Sequence, residues 1–282
     1  MRHDEGVPQP TIVLLHGQPD SSASFWALRR ALRGRVSPEV RIGVPDRPGY
    51  GANGLAATDY RGNVEWLTRW MERFCPGPVI LVGHSWAGGV AALAAAERVS
   101  TRIVGLVLLA SVGPECLVRL DPVLAAPVLG ELISFSTLRI GRGPIAHKAA
   151  TLIGGNLDSA DLPYARSSGA AMRFRPLWRS FLTEQRALLR DLPMITAALP
   201  DIATPTRIIT GDQDQVIPER TPAALQAAIS ASQWVHVDAG HDLQLRQPVA
   251  VADEIAAFAA EVLSESSVLG ELTGATSAMR IL

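Results

Sequence analysis

The chain has 282 residues with a net charge of −1, 48% hydrophobic and 19% charged, the balance of an ordinary soluble globular protein. Nothing in that charge favours nucleic acid or an anionic membrane as a partner, and the length allows one domain with a large insertion or two small domains. Its two cysteines, Cys75 and Cys116, make neither a metal spacing nor a disulfide framework, so a reduced, cytoplasmic protein is the expectation.

Met1 to Pro10 is polar and proline-bearing, unlike a signal peptide. Thr11-Ile12-Val13-Leu14-Leu15 is a β-rich apolar run ending in the turn His16-Gly17-Gln18-Pro19. Ser24 is placed to cap a helix carrying Phe25, Trp26, Leu28 and Leu32 at helical spacing. Val40 to Val44 predicts a second strand, closed by the loop Asp46-Arg47-Pro48-Gly49-Tyr50-Gly51. Tyr60 to Phe74 is amphipathic, with Val64, Leu67, Trp70 and Phe74 on one face. Trp66 and Trp70 read as core. Val79 to Val82 is a continuous apolar run, the mark of a buried parallel strand, and Val90 to Arg98 is helix-forming. Ile103 to Val112 holds a further buried strand, Val104 to Ala110, and is the longest apolar stretch, too short to cross a bilayer. The alternation of strands and helices to this point predicts a mostly parallel, doubly wound sheet.

From Gly113 to Pro200 no apolar strand run appears, and prolines and arginines accumulate. Trp178 to Leu192 is its best-ordered piece, with Trp178, Phe181, Leu182, Leu188, Leu189 and Leu192 as a helical stripe. Arg166, Arg173, Arg175 and Arg179 read as a solvated helix face balanced by Asp158, Asp161 and Glu184. Strand signals resume at Thr206 to Thr210 and Trp234 to Val237, alternating with helices over Pro218 to Ile229 and Pro248 to Leu263. The expected organisation is an α/β core of residues 1–112 and 201–263, a helical insertion over 113–200, and a loosely ordered tail over 264–282. Gly141-Arg142-Gly143-Pro144-Ile145-Ala146 mimics a dinucleotide fingerprint, but no strand precedes it and Pro144 interrupts it.

The chemistry is carried by three residues that each follow a strand. Ser85 lies in Gly83-His84-Ser85-Trp86-Ala87-Gly88-Gly89, where small residues let a strand turn sharply into a helix and present the serine at the carboxyl edge of the sheet. Serine is a weak nucleophile unless a base takes its proton and a third group orients that base. Of the six histidines, His3 lies in the terminus, His16 and His84 flank sheet turns, His147 is in the insertion and His236 is inside a strand. His241 follows a strand through Ala239-Gly240 and can reach the sheet edge. Asp214, in Thr210-Gly211-Asp212-Gln213-Asp214, reaches farther from its strand than Asp212.

These pieces resemble the α/β-hydrolase fold family: His16-Gly17 after the first strand, Asp46 to Gly51, Gly83-His84-Ser85-Trp86, Gly211-x-x-Asp214 and Gly240-His241, in that order along residues 11 to about 262. The resemblance implies Ser85 as nucleophile, His241 as base and Asp214 as orienting acid, with Glu115, just past the strand ending at Ala110, as the competing acid because some members of that family take their carboxylate from there. It implies an oxyanion hole from the backbone N–H groups of Gln18 and Trp86, and a cap formed by the insertion. Met172, Phe174 and Trp178 would then line an apolar substrate pocket. Two departures stand out: Ala87 replaces the last glycine of the strict elbow, and the short N-terminus predicts a smaller sheet of about six or seven strands.

A serine attacking a saturated carbon would leave an ether that water does not readily cleave, so Ser85 points to acyl transfer. The expected activity is hydrolysis of a small carboxylic ester or related acyl compound, a small-molecule substrate. C–C bond hydrolysis, cofactor-free perhydrolysis and a non-catalytic binding role are the alternatives. No cofactor and no metal are implied, and a homodimer is compatible with the sequence.

Overall fold

A computed structural model describes residues 8–140 and 177–278. Six parallel strands form one sheet in the order β2-β1-β3-β4-β5-β6: β1 (Thr11–Leu15), β2 (Arg41–Gly43), β3 (Val79–His84), β4 (Ile103–Leu109), β5 (Thr206–Gly211) and β6 (Ser232–Val237). The order reverses beside β1, so the chain winds first to one edge and then to the other. This is a doubly wound α/β fold, with six parallel strands among the described residues.

The central strands are apolar over most of their length because helices cover both faces. Successive side chains alternate, so Val13 and Leu15 of β1 join Leu81, Leu106, Leu108 and Ile208 on one face. Ile12 and Leu14 join Ile80, Val82, Val107, Leu109 and Ile209 on the other. Each such buried side chain contributes about 1.5–3 kcal/mol by leaving water. The first face is covered by α2 (Tyr60–Phe74) and α3 (Trp86–Ala96), the second by α1 (Trp26–Arg33) and α9 (Pro248–Ala278).

Local signals set the helix ends, with some differences from the sequence reading. Asp59 caps α2 by accepting from the Gly62 N–H at 3.0 Å. Ser24 caps nothing: its hydroxyl donates to the Ser21 carbonyl inside a 3-10 turn, Ser22–Phe25, and α1 starts only at Trp26. Helix α9 spans Pro248 to Ala278 and buries Val251, Ala252, Ile255, Phe258, Ala259 and Val262 along one stripe. No proline interrupts the chain after Pro248, and extending a formed helix costs little once its nucleus exists.

The described part of the insertion is helical: α4 (Asp121–Ala125), α5 (Leu129–Phe135) and α6 (Leu177–Ala198). Helix α6 is longer than its apolar stripe implied and is not an appendage. Its Ala187, Leu188, Leu192 and Ile195 belong to the same core cluster as Trp86 and Leu108. Trp66 and Trp70 pack half-buried against that cluster, as read. Short helices α7 (Arg220–Ala228) and α8 (Leu243–Arg246) flank β6. Among the described residues no helix is long and apolar enough to cross a membrane.

Candidate active site

Parallel strands all point their carboxyl ends to one edge, and three loops from that edge converge. The first is the turn after β3. Ser85 holds φ 53° and ψ −122°, a conformation that L residues rarely adopt and that must be imposed by its surroundings. Its backbone is held on both sides: its N–H donates to the Leu109 carbonyl at 2.9 Å, and its carbonyl accepts from Gly88 at 2.9 Å and Val112 at 3.1 Å. A side chain at Gly83 would run into the Ala87 carbonyl, and one at Gly88 into Ser111. The close approaches thus fall on Gly83 and Gly88. Ala87 can carry its methyl group into the core, which is why losing the strict glycine there does not disturb the turn.

The second loop, after β6, brings His241 to Ser85, and the third, after β5, brings Asp214 to His241. His241 Nε2 lies 2.9 Å from Ser85 Oγ, and His241 Nδ1 lies 2.9 Å from Asp214 Oδ2. Asp214 Oδ1 accepts from the backbone N–H groups of Val216 and Ile217 at 2.8 and 2.9 Å, which fixes the carboxylate plane. A carboxylate only accepts, so His241 Nδ1 carries the proton and Nε2 is left to accept from the serine hydroxyl. Burial works to lower the His241 pKa, but the hydrogen bond and charge of Asp214 outweigh it and hold the pKa above the ordinary 6.5. For Asp214, burial raises the pKa, while the His241 contact and the two backbone donors bring it below the ordinary 3.8.

Other candidates are placed elsewhere. Asp212 pairs with His236 at 2.7 Å on the surface. Glu115 is exposed and faces Arg220 at 3.5 Å, away from His241. His84 Nε2 donates to the His241 carbonyl at 3.2 Å, and burial together with the His241 charge lowers its pKa to about 4, so it stays neutral as a support. Trp178 stands edge-on to Phe135, with ring centroids 5.7 Å apart. Met172, Phe174, His147, Arg166, Arg173, Arg175, Asp158, Asp161 and the Gly141 to Ala146 pattern lie outside the described residues.

Trp86 is the first residue of α3, where an N–H has no carbonyl one turn back to bond. Gly17 packs directly on Ser85: a Cβ there would lie 2.9 Å from the serine Cβ, so only glycine lets the Gln18 loop sit beside Ser85. The Gly17 carbonyl accepts from His16 Nδ1 at 2.9 Å and from Arg47 Nη2 at 2.9 Å. His16 Nε2 accepts from the Arg47 N–H at 3.0 Å, which fixes its tautomer, and burial holds its pKa well below 6.5.

The sequence reading missed the group behind this loop. Arg47 and Glu184 are both fully buried and form an ion pair, which corrects the reading of Glu184 as part of a solvated face. Tyr50 donates to Glu184 Oε2 at 2.7 Å, Arg47 lies over the Trp86 ring at 4.7 Å, and Trp86 Nε1 donates to the Glu184 carbonyl at 3.1 Å. Gln18 Nε2 donates to Gln185 Oε1 at 2.9 Å. The signal was helical spacing: Glu184 lies one turn before Leu188 on the buried stripe of α6.

The chain belongs to the alpha/beta hydrolase family, whose model matches residues 12–254. It is 33% identical over 113 residues to a haloalkane dehalogenase of Mesorhizobium japonicum, a match covering 39% of this chain and only 35% of that one. It is 30% identical over 251 residues to a 2-hydroxy-6-oxo-2,4-heptadienoate hydrolase of Pseudomonas putida, covering 87% of each. Among solved structures, a thermophilic esterase from Thermogutta terrifontis superposes with a TM-score of 0.70 at 22% identity, over 91% of each chain, a likeness of fold. With these relatives, the fold and family are those of a hydrolase.

Proposed function

We propose that the protein is a serine hydrolase of small carboxylic esters or related acyl compounds, working through an acyl-enzyme on Ser85. The observation that carries this reading is the buried relay of two 2.9 Å contacts from Ser85 through His241 to Asp214. In this reading His241 takes the serine proton as the hydroxyl attacks the carbonyl carbon, and the Gln18 and Trp86 N–H groups hold the oxyanion. The proton then passes to the leaving alcohol, and water releases the acid by the same steps. A haloalkane, by contrast, is attacked at a saturated carbon, where a serine would end as an ether; the partial match to a dehalogenase therefore does not transfer its chemistry.

A second reading is favoured by the Pseudomonas putida relative. A compound of that name carries no ester or amide, so its hydrolysis must break a carbon–carbon bond next to the 6-oxo group. Such a substrate also brings a carboxylate that wants a cation. Arg47, beside the elbow, is already committed to Glu184 and to the His16 and Gly17 carbonyls, so it is not free to take that carboxylate.

A fluorophosphonate probe and a panel of aryl and alkyl esters, run beside a 2-hydroxy-6-oxodienoate, test the proposal. The expected result is stoichiometric labelling at Ser85 and ester turnover well above dienoate cleavage. Labelling with faster dienoate cleavage would transfer the assignment to C–C hydrolysis, and no labelling would leave a binding protein. The reading also sets a pH profile. His241 acts as a base only when unprotonated, and its pKa stands above 6.5, so kcat/KM should rise with pH through an inflection above 6.5. A rate independent of pH from 5 to 8 would remove His241 from the rate-limiting proton transfer.

A further inference from the structure

We propose that Arg47 and Glu184 are positioning residues that build the oxyanion hole, so the insertion helix α6 serves catalysis as well as packing in the core. The inference rests on the acyl-transfer reading above. Arg47 Nε donates to the His16 carbonyl at 2.6 Å and Nη2 to the Gly17 carbonyl at 2.9 Å. The peptide between Gly17 and Gln18 is trans, and in a trans peptide the N–H points opposite to the C=O. Anchoring the Gly17 carbonyl on Arg47 and His16 therefore turns the Gln18 N–H the other way, toward the Ser85 side on which Gly17 packs.

The guanidinium would be costly to bury without a counter-charge, and α6 supplies it through Glu184. Tyr50 fills a second acceptor site of that carboxylate. The same two residues of α6 also reach both oxyanion donors by their other groups. The Glu184 carbonyl takes the indole N–H of Trp86, and Gln185 takes the side-chain amide of Gln18. Gln185 in turn donates to Asp121 of α4 at 2.8 Å, so the acceptor-only carboxylate fixes the orientation of both amides. One turn of one helix thus holds the peptide of one donor and the side chains of both. The hydroxyl, imidazole and carboxylate of the relay touch none of these groups among the described residues, so positioning the hole and activating the serine are separable.

Three variants test this: Glu184→Gln, Arg47→Lys, and the double variant Arg47→Met with Glu184→Leu. The double variant removes both buried charges together and so guards against simple unfolding. The substrates are an ester and its thionoester analogue, because a C=S sulfur is a poor hydrogen-bond acceptor and draws little from an oxyanion hole. The expected result is a fall in kcat on the ester of about tenfold to a hundredfold with KM within about twofold. Thionoester turnover should fall much less, so the ester-to-thionoester ratio shrinks. The double variant should recover thermal stability without recovering ester turnover. Equal losses on both substrates, or restored ester turnover in the stable double variant, would overturn the positioning role and leave the pair as a structural tie. A wild-type protein with no Ser85-dependent ester turnover would instead bring down the acyl-transfer reading and this inference with it.

Discussion

Replacing Ser85 with alanine is expected to lower ester turnover by roughly a millionfold, which is about 8 kcal/mol of transition-state stabilisation. The size follows from the role assigned to the hydroxyl: without it no acyl-enzyme forms, and the aligned imidazole has no proton to take. Folding should be untouched. The substitution deletes one oxygen, alanine meets the same positive φ of 53° that serine already bears, and the three backbone bonds that impose it remain. Steady-state kinetics with an aryl ester, beside thermal unfolding of both proteins, checks the expectation. Residual turnover within a few-fold of the wild type would take Ser85 out of the mechanism. A collapsed unfolding temperature would mean that the hydroxyl is needed for packing at the elbow.

Where the sequence was legible, the reason was periodicity coupled to the geometry of a parallel sheet. Continuous apolar runs marked the buried strands, and residues just past such runs must meet at one edge. Ser85, Asp214 and His241 each follow such a run and so were candidates for one edge, with the pairing taken from resemblance and Glu115 left open as the acid. Local rules did less well where tertiary contacts decide. Ser24 has the chemistry of a cap, but the chain enters α1 through a 3-10 turn and the hydroxyl is taken by Ser21.

The larger miss has a physical cause. A glutamate in a polar-looking stretch, as Glu184 is, is assigned to solvent because a lone buried charge is expensive. That inference fails when each charge meets the other, and Arg47 and Glu184 lie 137 positions apart, beyond any local pattern. Their pairing was visible only as a charged residue standing in register with Leu188 and Leu192 on a buried stripe. Gln18 and Trp86 were named as oxyanion donors from resemblance, while the contacts of their side chains with Gln185 and Glu184 appear only in three dimensions.

The assignment of the acid is tested by ranking two substitutions. Asp214→Asn should lower kcat by about 10⁴-fold, and Glu115→Gln should leave it within about twofold. The asparagine is nearly isosteric, so its effect must come from hydrogen bonding. Asp214 Oδ1 accepts from Val216 and Ile217, and an asparagine must keep its one carbonyl oxygen there or strand two backbone donors. Its amide then faces His241 Nδ1 as a donor and drives the imidazole proton to Nε2, the atom that has to accept from Ser85. The imidazolium formed on proton transfer also loses its counter-charge. Glu115 has no such contact: its carboxylate meets Arg220 at the surface, where an ion pair is worth no more than about 1 kcal/mol. Both variants should stay folded by circular dichroism, and both can be assayed on one ester across pH. If Glu115→Gln proved the more damaging, the acid would have to reach His241 from the loop after β4, which would require the exposed carboxylate to leave Arg220 and swing across the sheet edge.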